Sequence, residues 1–159
     1  MYRRNLPHIQ KSDAPHFITF RTREKFVLVP PARDLVLQHC LHDHENKIHL
    51  HAAVVMPNHV HLIFTPLRNE QGESYTLAEI MNAIKGASAH SINKLLNRRG
   101  PLWLDESFDR VLRSSGDLED KILYLMANPL RCQLATHPDQ YPWLWREQPQ
   151  PRAAVPHNL

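Results

Sequence analysis

From His16 to Thr22 the side chains alternate, Phe17, Thr19 and Arg21 against Ile18 and Phe20, which is the period of a strand. Pro30-Pro31 then opens a helix whose Leu35, Val36, Leu37, Cys40, Leu41 and His44 follow helical spacing. Ile48 to Met56 is rich in branched residues and predicts a second strand. Pro57-Asn58 predicts a turn, because proline cannot donate to a ladder and asparagine tolerates turn geometry. His59 to Thr65 returns as a third strand, so the pair reads as a hairpin. Thr76 and Glu79 form a capping box ahead of a helix carrying Leu77, Ile80, Met81, Ile84, Ile92, Leu95 and Leu96, and Gly100-Pro101 stops it. Ser107 to Arg113 alternates again. Asp117 can cap a last helix running through Asn128, since Pro129 disfavours helix at the residue before it.

The order strand, helix, strand, strand, helix, strand, helix predicts an α+β chain with a ferredoxin-like or RRM-like split βαβ sandwich. Its sheet would be four-stranded and antiparallel, with helices on one face and a C-terminal helix added. A single domain over residues 1–147 is expected, followed by a proline-rich flexible tail over 148–159. Such a fold hosts many activities and proves none.

Composition narrows the classes. The 159 residues suffice for one packed domain, and no apolar run approaches the ~20 residues of a membrane helix. Cys40 and Cys132 are too few for a disulfide scaffold or a four-thiolate zinc site, so a cytoplasmic protein is expected. A net charge of +3 permits a polyanionic partner without demanding one. The 12 histidines matter more, because imidazole is the commonest metal ligand.

Strand alternation puts His59 and His61 on one face, two adjacent corners of a possible metal site. A bare His-x-His is also what a solvated sheet face carries. Tyr124 and Asn128 stand four apart on the last helix, on one face with Lys121, beside a separate apolar stripe of Leu118, Ile122, Leu125 and Met126. A half-buried tyrosine is common. Together, however, these parts suit phosphodiester chemistry. A phenol, with its solution pKa of ~10, attacks poorly until a cation assists it or charges its target. Two imidazole nitrogens and an amide oxygen would leave positions open on a divalent ion for phosphate and water.

The stretch Leu50 to Ile63, containing Met56-Pro57-Asn58-His59-Val60-His61, resembles the signature of single-tyrosine HUH transposases. Lys85-Gly86-Ala87-Ser88-Ala89, Leu102-Trp103, Ser107 to Arg113 and Tyr124-Leu125-Met126-Ala127-Asn128-Pro129-Leu130-Arg131 resemble the subgroup called REP-associated tyrosine transposases. The likeness runs from about Arg3 to Trp143. It implies that His59, His61 and Asn128 hold Mg²⁺ or Mn²⁺. It also implies that Tyr124 attacks a phosphodiester to leave a 5′-phosphotyrosine, the reaction of a DNA transposase and endonuclease. The substrate implied is single-stranded DNA carrying hairpin repeats. Related insertion-sequence transposases often place glutamine where Asn128 stands; the shorter side chain fits the REP-associated subgroup better.

Arg3, Arg4, Arg21, Arg23, Arg110, Arg113 and Arg131 offer the DNA backbone a path. Trp103 could stack on a base, though a core position suits it better. The partner expected is therefore single-stranded DNA with hairpin repeats, with no membrane, the protein acting as monomer or homodimer. One rival is a zinc-binding structural protein using His39, Cys40, His42, His44, His49 and His51, although structural zinc usually takes thiolates. Another is a nucleic-acid-binding module that never cleaves, as the sheet order resembles an RNA-recognition domain.

Overall fold

A computed structural model describes residues 13–148, so Arg3, Arg4 and almost all of the proline-rich segment lie outside the described residues. The elements run β1 (His16–Thr22), α1 (Pro30–His42), β2 (Ile48–Val55), β3 (His59–Pro66), α2 (Leu77–Leu96), β4 (Trp103–Val111), α3 (Ser115–Arg131) and β5 (Leu144–Arg146). All strand pairs are antiparallel, in the order β4-β1-β3-β2-β5. The α+β class and the four-stranded core are as expected from the sequence. The sheet nevertheless has five strands, because Leu144–Arg146 pairs with Ala52, Ala53 and Val54. Three residues are too few to display an alternation.

Period-2 patterning makes the sheet two-sided. Ile18, Phe20, Leu50, Val55, Leu62 and Phe64 pack with Val36 of α1 and with Ile80 and Ile84 of α2 in the larger core cluster. Phe17, Ala52, Val54 and Ile63 face the other way and pack with Ile122 and Leu125 of α3. Thus α1 and α2 cover one face and α3 the opposite one. Burying Ile122 and Leu125 contributes roughly 1.5–3 kcal/mol each and fixes where the polar side of α3 stands. Trp103 belongs to the core, 4% exposed, with its indole N–H donated to Ser88 Oγ at 3.0 Å.

Thr76 and Glu79 form the expected capping box, with backbone bonds to the opposite side chains of 3.1 and 3.2 Å. Three boundaries differ from the sequence reading. β4 begins at Trp103 rather than Ser107; Leu104, Asp105 and Glu106 are all exposed on this edge strand, so no apolar alternation marks it. α3 begins earlier as well, because Ser114 Oγ accepts the Asp117 amide at 3.0 Å. It also continues past Pro129, which costs one amide donor while Cys132 N–H still reaches the Asn128 carbonyl.

Candidate active site

The turn at Pro57-Asn58 is clamped to the end of β1, since Thr22 and Leu28 donate backbone N–H groups to the carbonyls of Asn58 and Pro57. This fixes the start of β3. Across the sheet His61 pairs with Thr19 and His59 with Arg21, so all four project on the face that α3 partly covers. The imidazoles of His59 and His61 lie 4.9 Å apart between ring centroids.

Each imidazole is oriented through Nδ1. Asn58 Oδ1 lies 2.8 Å from His59 Nδ1, and an amide oxygen only accepts, so that nitrogen carries the proton. Thr19 Oγ1 lies 2.7 Å from His61 Nδ1 and can accept its proton in the same way. Both Nε2 atoms are then the lone-pair nitrogens, the arrangement in which an outer partner sets a metal-binding tautomer. Burial, with His59, Arg21, Arg131 and Lys121 adding to it, pushes His61 down to about 3. Burial and then Arg21 also lower His59. Neutral imidazole is the ligating form.

Tyr124 comes to this pair from α3. Its ring stands edge-on to His61, centroids 6.3 Å apart, and edge-on to Phe17 at 6.1 Å. It is 44% exposed. Two cations attend it: Arg131 lies 4.1 Å from the ring centroid and Lys121 4.9 Å. Arg131 is also tied to the Tyr124 carbonyl at 2.9 Å, which holds the guanidinium in place. One turn on, Asn128 is buried, in contrast to the shared polar face that spacing suggested. Its Oδ1 takes a weak bond from the Cys132 thiol at 3.5 Å and keeps a second lone pair.

Because α3 leaves the β1–β4 half of the sheet uncovered, a cleft of about 620 Å³ opens there, lined by Thr19, Arg21, His61, Phe108 and Tyr124 among others. Phe108 is 58% exposed on this face, beside Thr19. The alternation of the sequence marks Phe108 only as a strand residue; its place on an edge strand leaves it open among the described residues, with Phe17 edge-on at 6.4 Å. Arg110 pairs with Phe17 and so shares the site face. Arg113 is exposed in the connection to α3. Arg23 is differently placed: its guanidinium is committed to the Trp103 carbonyl and Asp105, both at 3.0 Å.

Of the residues offered for structural zinc, His44, His49 and His51 fall in neighbouring groups with Glu45 and Glu147, but Cys40 and His39 do not join them. Cys40 is buried in the core, where burial pushes its thiol up to about 12, and His39 is turned to Ser91 Oγ at 2.8 Å. No helix among the described residues is long and apolar enough to cross a membrane.

The pattern of the family described as "Transposase IS200 like" matches residues 12–111, which include both histidines and end before α3. No curated protein matches the chain. Among solved structures, a REP-associated tyrosine transposase bound to a REP hairpin superposes with a TM-score of 0.68 at 19% identity, covering 91% of this chain and 81% of that one. A candidate transposase from Deinococcus radiodurans R1 superposes at 0.48, with 20% identity, 80% of this chain and 97% of that one. The fold is therefore that of the first neighbour, and with more than half of its length matched the chain belongs to the IS200-like transposase family.

Proposed function

We propose that this transposase is a metal-dependent single-stranded DNA endonuclease and strand transferase of the REP-associated subgroup. Tyr124 is the nucleophile, and His59, His61 and Asn128 hold Mg²⁺ or Mn²⁺. The observation that carries the reading is the meeting of Tyr124 with His61 at the rim of an open cleft, with both Nε2 atoms left for a ligand. The donor set suits such an ion, being two neutral imidazoles and one amide oxygen. When bound, the ion would polarise the scissile phosphate and offset charge developing on its oxygens.

The chain's own residues account for the rest. Tyr124 Oη forms a bond to phosphorus as the bond from phosphorus to the 3′-oxygen breaks. The phenolic proton is lost, the departing oxygen takes one up, and a 5′-phosphotyrosine and a free 3′-hydroxyl result. One phosphoester replaces another, so a later attack by a 3′-hydroxyl can reverse the exchange and rejoin DNA. Lys121 and Arg131 supply positive charge beside the attacking group. Arg21, Arg110 and Arg113 are placed to meet backbone phosphates, with Arg3 and Arg4 as further candidates, and Phe108 offers a face for a base.

A flexible single strand can bend into a cleft bounded by α3, whereas a stiff duplex must present one phosphate there without striking the helix. Cleavage is expected on a single strand bearing a hairpin, and the solved neighbour was itself bound to a REP hairpin. The same sequence annealed to its full complement should be cut little or not at all. Equal rates on the two substrates at one salt concentration would exclude this choice of substrate.

A further inference from the structure

A second group of histidines lies away from the cleft, where β2 meets the end of β5. His49 Nε2 is 2.7 Å from Glu147 Oε1, and His51 Nδ1 is 3.4 Å from Glu147 Oε2. We propose that His49, His51 and Glu147 form a second divalent-metal site, selective for zinc-like ions, that fastens the C-terminal strand to the sheet. This does not depend on the assignment of the cleft.

The outer contacts of the two histidines point to it. Glu45 Oε1 takes the N–H of His49 Nδ1 at 2.6 Å, and Glu147 Oε1, also an acceptor, faces Nε2 at 2.7 Å; an ion seated between them would displace the proton on Nε2 while Glu45 still holds the ring. His51 Nδ1 faces the acceptor Glu147 Oε2 at 3.4 Å; with an ion bound there, Thr65 Oγ1, 2.9 Å from Nε2, can take the ring proton and free Nδ1 to ligate. Carboxylate or hydroxyl behind each ligating imidazole is the arrangement that orients metal-binding histidines. All three ligand atoms lie within 4.8 Å of one another. A tetrahedral ion with bonds of ~2.0–2.1 Å spaces its ligands about 3.3–3.4 Å apart. His51 and Glu147 are already at that spacing, and the half-exposed Glu147 can open its contact with His49.

The neighbouring group His44, Glu45 and His49 offers similar distances but the wrong protonation. His44 Nδ1 accepts the Leu50 amide at 2.9 Å, so in the neutral ring Nε2 bears the proton and cannot ligate. Two imidazoles and one carboxylate favour a borderline ion over Mg²⁺, with a fourth position for water. The consequence is mechanical. Glu147 also donates its amide to the His51 carbonyl, and Arg146 reaches Glu119 of α3 at 3.2 Å, so an ion here would lock β5 beside α3.

Zn²⁺ should be titrated calorimetrically into the His59→Ala/His61→Ala protein, in which the cleft histidines are absent. One ion per chain is expected. Glu147→Gln, a mild change in a half-exposed side chain, should weaken binding by roughly tenfold or more, and His49→Ala/His51→Ala should abolish it. In the parent, Zn²⁺ should slow amide exchange at 144–147. No uptake by the first protein, or an affinity unchanged by Glu147→Gln, overturns the proposal.

Discussion

Tyr124→Phe should leave no covalent protein–DNA adduct and no cleavage of hairpin-bearing single strands, while DNA binding stays within about threefold of the parent. The expected asymmetry follows from what is lost. The ring keeps its edge contacts with Phe17 and His61 and its two cations, because none of these uses the hydroxyl. The arginines proposed to meet phosphates are untouched. Only the attacking oxygen is gone, and no other tyrosine among the described residues is placed to replace it. Tyr141 is buried with its hydroxyl donated to the Val55 carbonyl at 2.6 Å, and Tyr75 packs beside the opposite core. Gel shift and adduct gels on the same samples separate binding from chemistry. An adduct that persists would remove Tyr124 from its role.

His61→Ala is expected to lower the cleavage rate by roughly two orders of magnitude or more, and His59→Ala by a comparable factor, because each removes one proposed ligand. In either variant Mn²⁺ should restore more activity than Mg²⁺, since it accepts nitrogen donors more readily. The two substitutions differ in their side effects. His61 is 7% exposed and bonded to Thr19, so its loss leaves a small void and an unpaired hydroxyl, whereas His59 sits near the surface of the turn. Asn58→Ala, which frees His59 Nδ1, should produce a smaller loss of about 10–100-fold with DNA binding retained. Thermal melting of each variant shows whether lost activity reflects lost folding. Full-rate cleavage by parent protein in EDTA would show that no metal takes part.

Much of the fold was legible because strand and helix periods are strong signals here. The β2–β3 hairpin could be read from Pro57-Asn58 between two branched runs, and α2 from its capping box. Where the signal was weak, the reading stopped. β4 is an edge strand with Leu104, Asp105 and Glu106 exposed, so nothing periodic announces its first half. β5 is three residues long and is held by β2 rather than by any pattern of its own.

The candidate site divides along the same line. His59 and His61 are on one face by alternation alone, and Tyr124 follows from its helix spacing and the family resemblance. What the sequence could not supply was distance. Thr19 and Asn58, which orient the imidazoles, come from another strand and from a turn, and no local spacing links Thr19 to His61. Asn128 and Tyr124 were expected on one polar face flanking the buried stripe of α3; at that edge Asn128 is buried and Tyr124 is 44% exposed, a difference that spacing alone does not give. Glu147 completes a histidine cluster formed nearly a hundred residues earlier in the chain, a meeting that depends wholly on β5 pairing with β2.

The central claim is that this chain cuts DNA by joining it to Tyr124. Parent protein incubated with Mn²⁺ and a hairpin-bearing single strand can be digested with protease and nuclease, and the nucleotide-bearing peptide sequenced by mass spectrometry. The account predicts a 5′-linked nucleotide phosphate on the α3 peptide, attached at Tyr124. A modification on Tyr2, Tyr75 or Tyr141, or DNA cut without any covalently labelled peptide, would contradict it.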